Sequence, residues 1–175
     1  YIDTMFALCV TAGRGGGSLN DAYSLVNAFG CTFLACLAFA EGGSMCNLGA
    51  NVLVARSAFQ GSNATDGGAV FNKAAESAFV NCIFEFQNHA SRDGGCIFDQ
   101  GSTTSLTNCL LVGNLAGHVG GAIHHEDAKL RVTNCTIVGN ASGSGAGGIE
   151  LLGSDGGEVS NSILWGNTSN GVSNE

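Results

Sequence analysis

The side chains best suited to acid–base or metal chemistry are concentrated at 118–131, in the stretch "HVGGAIHHEDAKLR". A carboxylate beside a histidine can exchange protons with it or share a metal ion. The candidate polar site consists of Asp99, His124, His125, Glu126 and Asp127. The other acidic residues are scattered and only six Lys and Arg are present, so we interpret the stretch as a solvated corner loop. We assign no catalytic residue, no metal ligand and no cofactor.

Four asparagines stand in N-x-S/T sequences, the acceptor pattern for N-linked glycans. They are Asn63, Asn134, Asn140 and Asn167. In a eukaryotic secretory pathway they are candidates for glycosylation. Repeated N-x-T and N-x-S turns also produce the pattern by chance, so both interpretations stay open.

The composition limits the classes of partner. The formal net charge is −8 and 11% of the residues are charged, which argues against binding to nucleic acid or to an anionic membrane surface. The 45% of hydrophobic residues are too many for a disordered acidic tail. The stretch "MFALCV" at 5–10 is too short to cross a membrane, so we expect no direct membrane insertion. Eight cysteines suit a secreted scaffold or a metal site, but no CxxC pair is present.

The elements that position these residues follow a regular repeat. Glycine pairs begin 25 to 27 residues apart, at 16–17, 42–43, 67–68, 94–95, 120–121 and 147–148. A second phrase keeps the same interval, as in "NCLLVGN" at 108–114, "NCTIVGN" at 134–140 and "NSILWGN" at 161–167. Two phrases in phase along most of the chain indicate a structural repeat.

Each repeat has room for three short strands and three turns. Apolar residues alternate with other residues between Gly and Asn, which is typical of strands, and no segment has the spacing of an amphipathic helix. This pattern predicts an all-β solenoid of about six coils of 25–27 residues, with equivalent residues about 4.8 Å apart in neighbouring coils. The corner asparagines Asn88, Asn114, Asn140 and Asn167 are expected to bond along a ladder.

Stacking the repeats aligns residues into columns. One column is Cys31, Ser57, Cys82, Cys109, Cys135 and Ser162, and another is Phe33, Phe59, Phe84, Leu111, Ile137 and Leu164. We expect both columns to lie inside the coils. The cysteines of the first column are expected to be buried free thiols, because parallel Cβ vectors hold the Cβ atoms too far apart for a disulfide. Cys9 and Cys36, one coil apart at a looser corner, are the disulfide candidate.

Outward positions of the second phrase are also apolar. They are Ile83, Leu110, Val112, Val138, Ile163 and Trp165. An exposed sheet face normally carries polar residues, and a contiguous apolar patch more often marks an interface. We predict that this face is covered by another chain, by a missing part of the same chain or by a lateral neighbour. The alternative is that the strand alternation is misread here.

The two phrases together resemble the GGAI and FxxN repeats of the chlamydial polymorphic outer-membrane proteins and of related bacterial and algal surface proteins. The matching segments are 67–70, 94–97 and 120–123 for the first motif and 111–114, 137–140 and 164–167 for the second. This resemblance implies a right-handed, single-stranded parallel β-helix. It also implies a secreted or cell-surface location, as in adhesins and autotransporter passengers.

Three functions fit such a solenoid. The first is a non-catalytic extracellular structural or adhesive module that makes lateral and end-on protein contacts in a surface or filamentous assembly. The alternatives are a carbohydrate-active enzyme, such as a polysaccharide lyase or hydrolase, and a glycan-binding module. The even coil lengths leave no long loop for a catalytic groove, which favours the first. We expect residues 1–175 to form one domain, as a segment of a longer chain or of an assembly, with protein partners or copies of itself and with glycans as further partners.

Overall fold

The chain folds as a stack of coils built from β-strands. The computed structural model describes residues 1–153 and 156–173, and no helix occurs among them. The strands form four sheets, and strands from successive coils pair in parallel within each sheet. The prediction of an all-β solenoid of about six coils is confirmed, whereas the prediction of three strands per coil is wrong, because each full coil has four.

Sheets I and II collect the second half of each coil. Sheet I contains β1 (Met5–Ala7), β5 (Thr32–Leu34), β9 (Ala58–Gln60), β13 (Ile83–Glu85), β17 (Leu110–Val112), β21 (Thr136–Val138) and β25 (Ile163–Trp165). Sheet II contains β2 (Val10–Thr11), β6 (Leu37–Ala38), β10 (Asn63–Ala64), β14 (His89–Ala90), β18 (Leu115–Ala116), β22 (Ala141–Ser142), β26 (Thr168–Ser169) and β27 (Val172–Ser173). β27 pairs antiparallel to β26 and covers that edge of sheet II.

Sheets III and IV collect the first half of each coil. Sheet III contains β3 (Ser18–Asn20), β7 (Met45–Leu48), β11 (Val70–Lys73), β15 (Ile97–Gln100), β19 (Ile123–Glu126) and β23 (Ile149–Leu152). Sheet IV contains β4 (Leu25–Phe29), β8 (Asn51–Ala55), β12 (Glu76–Val80), β16 (Thr103–Thr107), β20 (Lys129–Thr133) and β24 (Gly157–Ser160). Each full coil runs through sheets III, IV, I and II in that order.

The fourth corner lies between sheets III and IV. The chain turns there at single residues with a left-handed backbone, such as Ala74 (φ 49°), Gly101 (φ 58°) and Asp127 (φ 46°). Alanine is not a residue that indicates a turn in a sequence. Asp127 lies in the stretch 118–131, which we interpreted as a loop because of the distribution of charged residues and not because of a turn. The sequence therefore does not distinguish this corner from the interior of a longer strand.

The core is made of the columns that the repeat predicts. The rings of Phe33, Phe59 and Phe84 stack with centroids 4.8 Å and 4.6 Å apart, and all three are fully buried. Burying each such side chain contributes about 1.5–3 kcal/mol to folding. Leu111 and Ile137 continue the column, whereas Leu164 in the last described coil is 38% exposed.

The cysteine and serine column also hydrogen-bonds to the backbone. Ser57 Oγ accepts a hydrogen bond from the backbone N–H of Cys31 (3.0 Å) and donates one to the Ala55 carbonyl (2.9 Å). Cys135 Sγ does the same with the N–H of Cys109 (3.4 Å) and the Thr133 carbonyl (3.3 Å). The thiols are buried and free, as expected, but they act as hydrogen-bonding groups rather than only as small hydrophobes.

The glycine pair before sheet III meets two separate demands. Gly94 has φ +65°, a left-handed conformation that favours glycine. A Cβ on its neighbour Gly95 would lie 2.2 Å from the Gly121 carbonyl oxygen of the next coil. The glycines that contact the next coil in this way include Gly16 and Gly147. Gly95 is the second glycine of its pair, whereas Gly16 and Gly147 are the first glycines of the pairs 16–17 and 147–148. The first and last pairs read from the sequence are therefore displaced by one residue.

Candidate functional site

Strand β19 separates the residues of the candidate polar site. His125 points into the coil and His124 points outward, and both are buried, with exposed fractions of 2% and 5%. Glu126 is partly exposed at the edge of sheet III, and Asp127 is exposed at the left-handed corner. The interpretation of this stretch as a solvated loop is wrong, because residues 123–126 pair with β15 on one side and with β23 on the other.

The buried pair of Asp99 and His125 lies inside the coils. Asp99 Oδ2 is 3.2 Å from His125 Nδ1, and the Asp99 side chain is completely buried. Asp99 Oδ1 accepts hydrogen bonds from Thr104 Oγ1 (2.8 Å) and from Asn72 Nδ2 (2.7 Å). On the other side of the ring, His125 Nε2 is buried and has no hydrogen-bond partner among the described residues.

A ladder of buried amides leads to this pair from the other end of the chain. Asn20 Nδ2 donates to Asn47 Oδ1 (2.7 Å), and Asn47 Nδ2 donates to Asn72 Oδ1 (2.8 Å). The next rung is the bond to Asp99. From the sequence, His125 is grouped with Asp99 in the candidate polar site, but neither side chain is expected inside the coils. The available signal was strand alternation, because Val70 points inward and Asn72 is two residues further on.

The pair favours the protonated form of His125. Burial lowers the pKa of His125, but the hydrogen bond to Asp99 and the charge of Asp99 outweigh it. The pKa of His125 is therefore raised above its ordinary value. A proton on this ring is held in the interior, away from any substrate, so the pair is suited to linking protonation to folding.

The outer face of sheet III has a groove across coils four to six. Its volume is about 330 Å³, and its floor is formed by Phe98, His124 and Glu150. The His124 ring lies against the Phe98 ring at a centroid distance of 4.9 Å, and Phe98 in turn stacks on Phe71 at 5.2 Å. His124 Nδ1 is buried, and no described residue forms a hydrogen bond with it.

The two walls of the groove differ in their charges. On the side facing sheet II, Asp93 accepts hydrogen bonds from the Val119 backbone N–H (3.1 Å), and its carboxylate lies 3.0 Å from His118 Nδ1. Arg92 contacts Asp93 at 3.6 Å and also pairs with Asp66. The opposite wall consists of Gln100, Glu126 and Leu152.

His124 stays neutral despite these carboxylates. Burial lowers its pKa, and the negative charges of Asp93, Glu126, Glu150 and Asp66 offset that effect only in part. The pKa of His124 is therefore below its ordinary value, opposite to that of His125. At neutral pH the floor of the groove presents an uncharged imidazole between carboxylates.

The apolar columns of sheet I point outward. Ile163 and Trp165 are 60% and 69% exposed, Ile83 is 39% exposed, and Leu110, Val112 and Val138 are partly exposed. Register stacks Val112, Val138 and Trp165 in consecutive coils. The alternation of inward and outward side chains along each strand therefore assigns these residues to the correct face. Nothing within the described part of the chain covers them.

Comparison with known proteins agrees with this architecture. A family model described as the right-handed beta helix region matches residues 18–175. This chain belongs to the right-handed β-helix family. The match supports the handedness and the repeat, while the more specific likeness to polymorphic outer-membrane proteins stays a prediction. No curated protein and no solved structure matches the chain significantly.

Two of the glycosylation candidates are inside this β-helix. Asn140 and Asn167 are buried in the corner ladder, where Asn140 Nδ2 donates to Asn167 Oδ1 (2.9 Å) and to the Leu111 carbonyl (3.1 Å). A glycan on either amide is incompatible with the fold, so the predictions for these two residues are wrong. Asn134 is exposed and Asn63 is partly exposed, and for them glycosylation stays a prediction.

The cysteines of the β-helix are free thiols in this structure. Cys9 and Cys36 are not joined, and Cys36 Sγ donates to the Phe6 carbonyl (3.4 Å). Burial raises the pKa of Cys36 to about 11 and that of Cys46 to about 12. Buried thiols with such values react slowly. A disulfide between Cys9 and Cys36 in an oxidising compartment stays a prediction.

Neither a metal centre nor a spanning helix is found in the described residues of this β-helix. No group of three or more His, Cys, Asp or Glu side chains among them is arranged to hold a metal ion. None of them belongs to a helix long and apolar enough to cross a membrane.

Proposed function

We propose that this β-helix is a non-catalytic extracellular structural or adhesive module that acts through protein contacts in a surface or filamentous assembly. The observation that supports it is the exposed apolar face of sheet I. An extracellular location is supported by the resemblance of the repeats to those of surface proteins. Detection of the chain on intact cells of its host, without permeabilisation, tests the location.

The occupant that fits the apolar face is a second copy of the chain. Of the residues in the strands of sheet I only Glu85 is charged, and Gln60 Nε2 donates a hydrogen bond to it (2.8 Å). Two copies of a chain with net charge −8 repel each other least where they present the fewest carboxylates. Both copies also carry ridges at the same interval of about 4.8 Å, so the ridges of one can pack between those of the other.

The single tryptophan gives a direct test, because Trp165 lies on this face. We expect light scattering after size exclusion to show a mass that rises from one to two chains with increasing concentration. Over the same range the emission of Trp165 is expected to move to shorter wavelength as water leaves the indole. Val138→Lys places a charge at the centre of the face and is expected to keep the chain monomeric.

Thr103→Lys is the matched control, because it adds the same charge at an exposed position on the outer face of sheet IV. It is expected to associate like the original chain. A monomer at every concentration, or association that both lysine variants leave unchanged, would contradict the proposal. Release of oligosaccharides from polysaccharides by the purified chain would favour the carbohydrate-active alternative instead.

A further inference from the structure

The groove on sheet III contains acidic groups that form no ion pair with any described residue. Glu126 forms no ion pair with a described residue and receives only a long hydrogen bond from Gln100 Nε2 (3.4 Å). Glu150 likewise lacks an ion pair in the described chain and accepts a hydrogen bond from the Ala146 backbone N–H (2.6 Å). Between them lies His124, which is 95% buried and whose Nδ1 has no hydrogen-bond partner in the part of the chain that the structure describes.

The arginine that lines the groove is already paired. Arg92 is held by Asp66 and Asp93, and His118 lies against Asp93. Arg92 offsets only one of these two carboxylates, so this wall stays acidic while its guanidinium is already occupied. Glu126 in the opposite wall and Glu150 in the floor add two further carboxylates beside the buried imidazole, and neither has an ion-pair partner among the described residues.

We propose that this groove binds the side chain of a lysine on a partner protein. The ammonium group would lie between Glu126 and Glu150, with the neutral imidazole of His124 as a further acceptor. The methylene stem would pack against Phe98 and Leu152, which also line the groove. Lysine side chains commonly bind in this way, with an apolar stem on apolar surface and a charged head among acceptors.

The site is separate from the self-contact proposed above. It lies on sheet III, whereas the apolar face is on sheet I, so either can fail without the other. The groove also binds one side chain rather than a sheet face, and the chemistry it recognises is a single positive charge on a flexible stem.

Nuclear magnetic resonance of the whole chain, with the probe Nα-acetyl-lysine N-methylamide, tests the proposal. We expect the ring signals of His124 and the amide signals of 124–126 and 150 to shift, with a dissociation constant on the order of millimolar for one ion-pair site. Nα-acetyl-norleucine N-methylamide has the same stem without the ammonium and is expected to leave them unchanged. Binding is expected to weaken as salt is raised from 50 to 500 mM, roughly the range over which the Debye length falls several-fold.

The variants separate binding from folding. Glu126→Gln and Glu150→Gln are each expected to lower the affinity for the lysine probe at least about fivefold. Glu76→Gln makes the same change on the exposed face of sheet IV and is expected to leave the affinity unchanged. His124→Phe keeps an aromatic ring against Phe98 but removes the hydrogen-bond acceptor. It is expected to lower the affinity for the lysine probe as well.

The pH dependence provides an independent check. The groups that face His124 are Asp66, Asp93, Glu126 and Glu150, with Arg92 and His118 at the wall. A bound ammonium disfavours a second positive charge, so the probe is expected to lower the pKa of His124 further and to be released as His124 protonates. The proposal would be overturned if the lysine probe left the resonances of His124 unchanged, or if the norleucine probe moved them equally. Tighter binding of glucosamine than of the lysine probe would also overturn it.

Discussion

His125 Nδ1 lies 3.2 Å from Asp99 Oδ2 inside the stack of coils, and both side chains are buried. The folded chain therefore binds a proton on His125 more strongly than the unfolded chain does. The stability that this adds is fully present below the unfolded pKa of about 6.5 and is lost as pH rises through the raised pKa of the folded state. The pair is thus a source of pH-dependent stability in the interior of the β-helix.

Asp99→Asn is expected to remove this pH dependence. The amide preserves the shape of the ladder, but it cannot compensate a charged imidazole. We expect a loss of about 3–5 kcal/mol in the free energy of unfolding at pH 5.5, as for other buried pairs that lose one partner, and a smaller loss at pH 8.5. Urea unfolding followed by circular dichroism across this pH range measures both values.

Glu76→Gln is the control for that measurement, because it makes the same carboxylate-to-amide change at an exposed position. It is expected to leave the pH profile unchanged. An Asp99→Asn loss that is equal at pH 5.5 and 8.5 would show that the pair does not hold a proton.

His124 is expected to affect stability in the opposite direction. Its pKa is lowered, so the unfolded chain binds the proton more strongly, and stability present above about pH 6.5 is lost as pH falls through the lowered pKa. His124→Phe continues the stack of Phe71 and Phe98 and has no proton to bind. We expect the variant to melt at a higher temperature than the original chain at pH 5.5. At pH 7.5 the free energies of unfolding of the two chains are expected to differ by less than about 1.5 kcal/mol. A steeper acid loss in the variant would contradict this.

The repeat was readable from the sequence because each coil meets the same physical demands at the same places. Glycine is needed where coils touch and is favoured where the backbone is left-handed, and the phenylalanine column is apolar because it is the core. Asn114 and Asn140 recur because their amides bond to each other along the corner, at 2.9 Å. These demands are local, so they leave a periodic pattern that one sequence displays.

The candidate site could be predicted less well, because the burial of its residues depends on where the chain turns. The scattered acidic residues and the few basic ones suggested a solvated corner loop at 118–131, whereas the left-handed turn at Asp127 places His124 and His125 within strand β19. Alternation within that strand then puts one histidine inside and the other outside. Charge and polarity suggested solvent exposure, yet Asn72 and Asp99 are buried because the ladder satisfies their hydrogen bonds.

The corner ladder is expected to be sensitive to truncation. Asn114 Nδ2 donates to the Phe84 carbonyl (3.2 Å) and to Asn140 Oδ1 (2.9 Å), and its Oδ1 accepts from Asn88 Nδ2 (2.9 Å). Asn114→Ala leaves these buried groups without partners, at a cost of about 1–3 kcal/mol for each. Asn114→Ser is expected to cost less, since Ser62 occupies the same column and its Oγ accepts from the Cys36 N–H (3.4 Å). Guanidinium unfolding of both variants measures the difference, and equal losses would contradict the role of the hydroxyl.

Two glycines with different roles allow the close approach of coils to be separated from the left-handed turn. A Cβ at Gly95 would lie 2.2 Å from the Gly121 carbonyl oxygen, so Gly95→Ala forces neighbouring coils apart and is expected to yield little folded protein. Gly113 has φ +64° but open space around it, so Gly113→Ala carries only the left-handed strain of about 1–2 kcal/mol. Gly113→Asn is expected to cost less than Gly113→Ala, because Asn108 and Asn134 already adopt this conformation in the same chain. Thermal melts of the three variants rank them, and a Gly95→Ala chain as stable as Gly113→Asn would show that the coils can yield at this contact.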